Sequence, residues 1–138
     1  FPKSIFELEK GFSTDFKGYG WEDLELGYRF KKRNIPLYYL KTAINYHYHI
    51  ISDDEDIERN FYKGESARVF IQKHPELKLF LGYNPVSIFI RKQISEQGFL
   101  MAFFKRHKNS KKKWLQSISI WFLKEYSYLT GLLSDNPI

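Results

Sequence analysis

Glu22 and Asp23 stand side by side directly after a glycine-broken loop, Gly18-Tyr19-Gly20-Trp21. These residue types at this spacing fit proton transfer. A carboxylate at the lip of a loop can accept a proton from a bound hydroxyl. Two glycines let the backbone come close to a ligand. Tyr19 and Trp21 add flat apolar faces that could stack on one. The competing reading is local: acids in the first turn of a helix complement its dipole and contribute a few tenths of a kcal/mol.

The wider string resembles a known signature. Phe16, Gly18, Tyr19, Gly20, Glu22, Asp23, Glu25, Leu26 and Arg29 fall in register with the acceptor-side motif of family 2-type glycosyltransferases. That motif is shared with the C-terminal galactosyltransferase region. The upstream Gly11-Phe12-Ser13-Thr14-Asp15-Phe16 is similar to the family's approach to it. At Trp21 many members carry Gly, which bears on the shape of the sugar pocket. The resemblance covers roughly residues 1 to 50. It implies an inverting transferase that moves a sugar from a nucleotide-sugar donor to a glycan or lipid-linked acceptor hydroxyl. Asp23 would be the general base and Glu22 would bind hydroxyls. Gly18, Tyr19, Gly20 and Trp21 would line the substrate site, and Arg29 would hold the loop by a salt bridge.

The resemblance also implies a divalent ion, Mn²⁺ or Mg²⁺, bridging the donor's phosphates. His47, in Ala43-Ile44-Asn45-Tyr46-His47, is the candidate ligand and His49 the alternative. Asp54-Glu55-Asp56 spells Asp-x-Asp, the family's metal motif. It opens a helix here, so it reads as capping chemistry. In the family that metal motif and the nucleotide-binding half lie upstream. The chain is therefore expected to be a piece of a larger enzyme, inactive or nearly so by itself.

The elements that position these residues follow from periodicity and breakers. Residues 3 to 10 and 21 to 33 read as helices, with Ser4 and Asn34 as caps. Pro36 stops the second. Leu37–Leu40 and Ala43–His49 are rich in β-formers and read as strands. From Asp53 a helix runs to about His74, before Pro75. A short helix near Leu77–Leu81, a turn at Gly82–Pro85, a helix over 86 to 106 weakened by Gly98, and a helix over 111 to 133 complete the chain. The expected fold is an α/β front, the C-terminal part of a GT-A-like domain over 1–52, followed by a helical extension over 53–138.

Bulk properties bound the partners. The 138 residues include 22 basic and 16 acidic side chains, a net charge of +6, and no cysteine. Disulfides and cysteine-bound metals are excluded. The positive balance favours a polyanionic neighbour. Lys105-Arg106-His107-Lys108 and Lys111-Lys112-Lys113 precede a Trp-rich helix. That segment, 105–133, reads equally as a peripheral contact with an anionic membrane or as a solvated loop before a packed helix. A non-catalytic module docking on such a surface is the second functional reading. Nucleic acid is the weaker partner, since no reader motif is present. The expected location is the cytoplasm, extending to the inner face of the membrane.

Overall fold

The computed structural model describes residues 2–46 and 48–134. Among the described residues six α-helices make the architecture: α1 Lys3–Leu8, α2 Glu22–Lys32, α3 Asp53–Lys73, α4 Pro85–Gln93, α5 Phe99–His107 and α6 Lys113–Leu132. A 3-10 turn at Pro75–Leu77 follows α3. Among the described residues there is no strand, so the expected α/β front is corrected to an all-helical arrangement.

The two expected strands fail for want of a neighbour. Preference for β structure measures fit to a half-buried pleated surface, not an intrinsic backbone choice. Leu37–Leu40 has no such surface: Tyr38 and Tyr39 are each 88% exposed. Over 43–46 the backbone bonds found are local, Ala43 N–H to Leu40 and Ile44 N–H to Thr42. Tyr46 and Tyr48 are as exposed as Tyr38.

Local chemistry accounts for the helix ends. Ser52 caps α3 by accepting from the Glu55 backbone N–H at 3.2 Å, and Asn84 caps α4 by accepting from Ser87 N–H at 2.9 Å. Pro85 sits at the first position of α4, where its missing N–H costs nothing. Gly98 does more than weaken a helix over 86 to 106. It separates α4 from α5 and stands at the N-terminal boundary of α5. Asn34 takes a left-handed conformation (φ 55°) just past α2, and Ile35 N–H reaches back to Phe30 C=O at 3.0 Å. Ser4 is not a cap: Pro2 occupies that position before α1.

α3 is the axis of the fold, and α6 lies along it. Their crossing is nearly backbone on backbone. A Cβ on Gly64 would sit 2.0 Å from the Tyr128 carbonyl oxygen, and one on Gly131 would sit 2.0 Å from that of Phe61. Ala67, Phe70, Leu81 and Leu132 form the core beside this crossing. Met101, Leu123 and Tyr126 form a second cluster where α5 meets α6, with Phe104 stacked on Phe122 at 4.0 Å between centroids. Asp54 and Asp56 tie the start of α3 to these later helices. Asp54 pairs with Lys108, and Asp56 with Lys124 at 2.6 Å.

α2 packs across the other end of α3. Its Tyr28 and the loop residues Phe16 and Trp21 all meet Phe70 edge-on, at 6.3, 6.4 and 6.4 Å. Each such pair adds about 0.5–1.5 kcal/mol beyond the area it buries. A polar strut reinforces the contact: Glu76 accepts from the Tyr28 hydroxyl at 2.8 Å and from Lys32 at 3.1 Å. Its own backbone N–H, then these two donors, pull the Glu76 carboxyl down to about 2. The folded carboxyl thus ionises more readily than the unfolded one. Its stabilising contribution is complete above the ordinary carboxylate range near 4.5 and disappears as the pH falls toward 2. Glu76→Gln should flatten that part of the acid limb in urea midpoints measured against pH. Parallel curves for the two proteins would remove Glu76 from the acid response.

Candidate active site

The motif loop is fastened to α3 and opens α2. Gly20 and Trp21 both have positive φ, 91° and 75°. Glycine adopts this conformation freely, whereas a tryptophan there carries strain of order 1–3 kcal/mol. Two contacts hold Trp21 in place: its indole N–H donates to the Lys63 carbonyl at 3.0 Å, and its ring meets Phe70. Tyr19 lies under two cations of α3, with Arg59 5.2 Å and Lys63 5.6 Å from the ring centroid. Gly18 rests against α3 beside Ser66 and Tyr62. The loop is therefore positioned by aromatic contacts, and the indole of Trp21 is turned toward α3.

The turn at Gly20–Trp21 puts the paired acids in the first turn of α2. Asp23 is exposed. One of its oxygens accepts from the Leu24 backbone N–H at 2.7 Å. Glu22 is half-buried, and its Oε2 is shielded from water with no hydrogen-bond partner among the described residues. A shielded carboxylate oxygen without a donor is costly unless something supplies one. The two neighbours thus differ: Asp23 is open to an incoming group, while the unpartnered Glu22 oxygen faces the protein.

Behind them lies a buried ionic network that the acids of the motif only hint at. Glu25 is 2% exposed. The Arg29 Nε donates to both of its oxygens, at 3.1 and 3.0 Å. Nη2 of Arg29 donates to the Gly11 carbonyl at 2.6 Å, and Nη1 to the Glu9 carbonyl. The carboxylate of Glu9, itself buried, lies 3.5 Å from Arg29 Nη1 and also pairs with Arg33. His74 completes the chain, its Nε2 3.0 Å from Glu25 Oε1. Its ring is lodged against Tyr28 and Phe70 at 4.9 and 5.5 Å. Arg29 does hold the approach loop, through backbone carbonyls as well as a salt bridge. Its partner Glu25 was visible as the i, i+4 residue of the motif. His74 carried no sequence signal beyond ending a helix before proline.

An apolar groove of about 710 Å³ begins at Leu24, one residue past Asp23, and follows α2 to Asn34 and Ile35. Tyr28, Phe70, Leu77 and Phe80 are among its lining residues, with Lys31 contributing a charge. A smaller polar cleft of about 300 Å³ lies over the ionic network, lined by Gly11, Ser13, Thr14, Arg29 and Lys73 among others. Asp15 pairs with Lys73 at 2.5 Å, and that lysine holds its carboxyl below the usual carboxylate range.

Comparison with protein-family models, with curated proteins and with solved structures found no match to this chain.

The histidines expected at a metal fall out differently. His47 lies outside the described residues. His49 has its Nε2 2.7 Å from Arg59 Nη2 and 3.9 Å from Glu55. A nitrogen committed to an arginine is poorly placed to coordinate a cation. Asp54 and Asp56 are engaged by Lys108 and Lys124, while the cap of α3 is Ser52. Among the described residues no group of three or more histidine, aspartate or glutamate side chains is arranged to hold a metal ion. The described residues therefore do not themselves build a Mn²⁺ or Mg²⁺ site.

Proposed function

We propose that this chain is the acceptor-side part of an inverting glycosyltransferase that uses a nucleotide-sugar donor. The observation that carries the reading is the exposed Asp23, held at the mouth of a fastened loop beside a half-buried Glu22. The positive φ at Trp21 adds to it, because the motif it resembles often has glycine at that position. The nucleotide-binding half of the enzyme would lie outside these residues.

In the proposed reaction the acceptor hydroxyl attacks the anomeric carbon of the donor sugar. The new C–O bond forms as the bond to the diphosphate breaks on the opposite face. The leaving nucleoside diphosphate keeps the electron pair, and Asp23 takes the hydroxyl proton. Glu22, through the carboxylate oxygen that is not shielded, accepts a hydrogen bond from a second hydroxyl and so orients the sugar or acceptor. Orientation of this kind lowers the barrier before any chemistry begins. The adjoining groove is lined mainly by carbon, so it suits an acceptor with an apolar portion, such as a lipid-linked sugar, better than a bare glycan.

The test is sugar transfer by the full-length protein carrying this chain. Asp23→Asn should lower turnover by about 10²–10⁴-fold, the usual contribution of a general base. Helical circular dichroism and nucleotide-sugar binding should be unchanged. Wild-type turnover in the variant would end the assignment.

A further inference from the structure

We propose that α4 and α6 together form a docking face for an anionic lipid bilayer. The proposal is independent of the transferase reading.

Helix α6 sorts its residues sharply. Ser119, Leu123, Tyr126 and Leu132 point into the protein. Trp114, Ile118 and Trp121 fall at i, i+4 and i+7 on one stripe and stay exposed, the two tryptophans at 63% and 62%. Helix α4 repeats the pattern with Val86, Phe89 and Ile90, all more than half exposed. The two sets adjoin: Ile90 and Trp121 border one cleft between the helices. The segment 105–133 is therefore neither wholly packed nor wholly a surface anchor. One stripe of it looks outward, and α4 supplies the rest of the apolar face.

Contiguous exposed apolar residues mark an interaction surface. Charge chooses the occupant. Lys111, Lys112 and Lys113 are exposed at the start of α6, immediately before Trp114. Lys112 is the boundary residue and offers no side-chain cap. Three cations at the positive end of a helix dipole are unfavourable locally, so an anionic surface facing that end would relieve them. Lys92 on α4 and Lys105 and Arg106 on α5 are exposed as well. Of the basic cluster, Lys108 is the one drawn into an ion pair among the described residues, with Asp54. Glu125, one turn beyond Trp121, brings acid to the far end of the cleft and limits the face there. Tryptophans beside lysines suit the headgroup boundary of a bilayer, where rings lie among the upper acyl carbons and ammonium groups meet phosphate. A protein partner would not need this pairing of tryptophan with a lysine run. Among the described residues no helix is long and apolar enough to cross a membrane, so contact would be peripheral.

The experiment is vesicle sedimentation of the full chain with phosphatidylcholine alone or with about one-third phosphatidylglycerol. Binding is expected only to the anionic vesicles and should weaken with salt. Replacing Lys111, Lys112 and Lys113 by alanine should cut partitioning on the order of a hundredfold, given the usual contribution of each basic residue near a charged surface. Brominated lipid should quench the wild-type tryptophan fluorescence, and the quenching should vanish in Trp114→Phe/Trp121→Phe, which retains only Trp21. Equal binding to neutral vesicles, or no quenching, would overturn the proposal. So would a dimer dissociated by Trp121→Ser in a protein that ignores vesicles.

Discussion

Gly64→Ala and Gly131→Ala are each expected to destabilise the helical fold strongly. The added methyl is small, but its placement leaves no room for adjustment. Either new Cβ would lie 2.0 Å from a carbonyl oxygen of the opposing helix, and the Gly64 one also 2.7 Å from the Leu132 backbone nitrogen. The obstacle in both cases is backbone, which cannot rotate away as a side chain tip can. Relief requires α3 and α6 to move apart along the contact that buries Ala67, Phe70 and Leu132. Overpacking in a core usually costs about 1–3 kcal/mol. Here separation also forfeits packing, so the loss should reach about 3 kcal/mol or more, a large part of a typical domain's stability. Alanine would otherwise favour a helix over glycine by about 1 kcal/mol, so the sign tests the geometry directly. Gly27, in α2 with open space around it, is the control: Gly27→Ala should leave stability unchanged or raise it. Thermal melts followed by circular dichroism decide the matter. Wild-type midpoints for both crossing variants would mean that the helices do not meet at these glycines.

Arg29→Met should cost about 3–5 kcal/mol, the range for leaving buried charge without its partner. The guanidinium serves two carboxylates and two backbone carbonyls simultaneously. Methionine fills much of the volume and satisfies none of them. Glu9 and Glu25 would then remain buried with only Arg33 and His74 as their respective partners. Arg29→Lys should recover part of the loss, because one ammonium cannot reproduce the fork that grips Glu25 through Nε while reaching Gly11 through Nη2. The informative comparison is the triple variant Glu9→Leu/Glu25→Leu/Arg29→Met. Replacing a whole buried ionic set by apolar side chains is often neutral or stabilising, so the triple variant should be more stable than Arg29→Met alone. A triple variant less stable than the single one would show that the carboxylates hold the loop independently of the arginine. Because Arg29 holds the Gly11 carbonyl, the single variant should also loosen the approach to the motif loop, read as faster proteolysis after Lys10.

The ends of α2 and α3 were legible because they rest on local chemistry, whereas the break between α4 and α5 was not. Pro36 bars α2 from continuing, Asn34 ends it in a left-handed turn, and Pro75 stops α3 after Lys73. The segments from Leu37 to His49 were misjudged because a strand is defined by its neighbour. Tyr38, Tyr46 and Tyr48 have the composition of one but project into solvent. The long-range features were hidden for a related reason. Gly64 and Gly131 look like mild helix breakers in one dimension and become contact points only when two distant helices cross. At the candidate site, Glu22, Asp23 and the Glu25–Arg29 spacing could be read directly from the chain. The inward turn of Trp21 and the link from Glu25 to His74 depend on α3, which the motif itself does not contain.

The glycine crossing sets an order of events in the cell. As the chain leaves the ribosome, α2 and α3 emerge together and can begin to gather around Phe70. The notch at Gly64 stays wet until the last turns of α6 follow, after the whole excursion through α4 and α5. Such a non-local pairing is won late, and apolar surface left open meanwhile invites association with other chains. Completion of the central helix pair therefore waits for α6, and the open notch is an association hazard until it arrives.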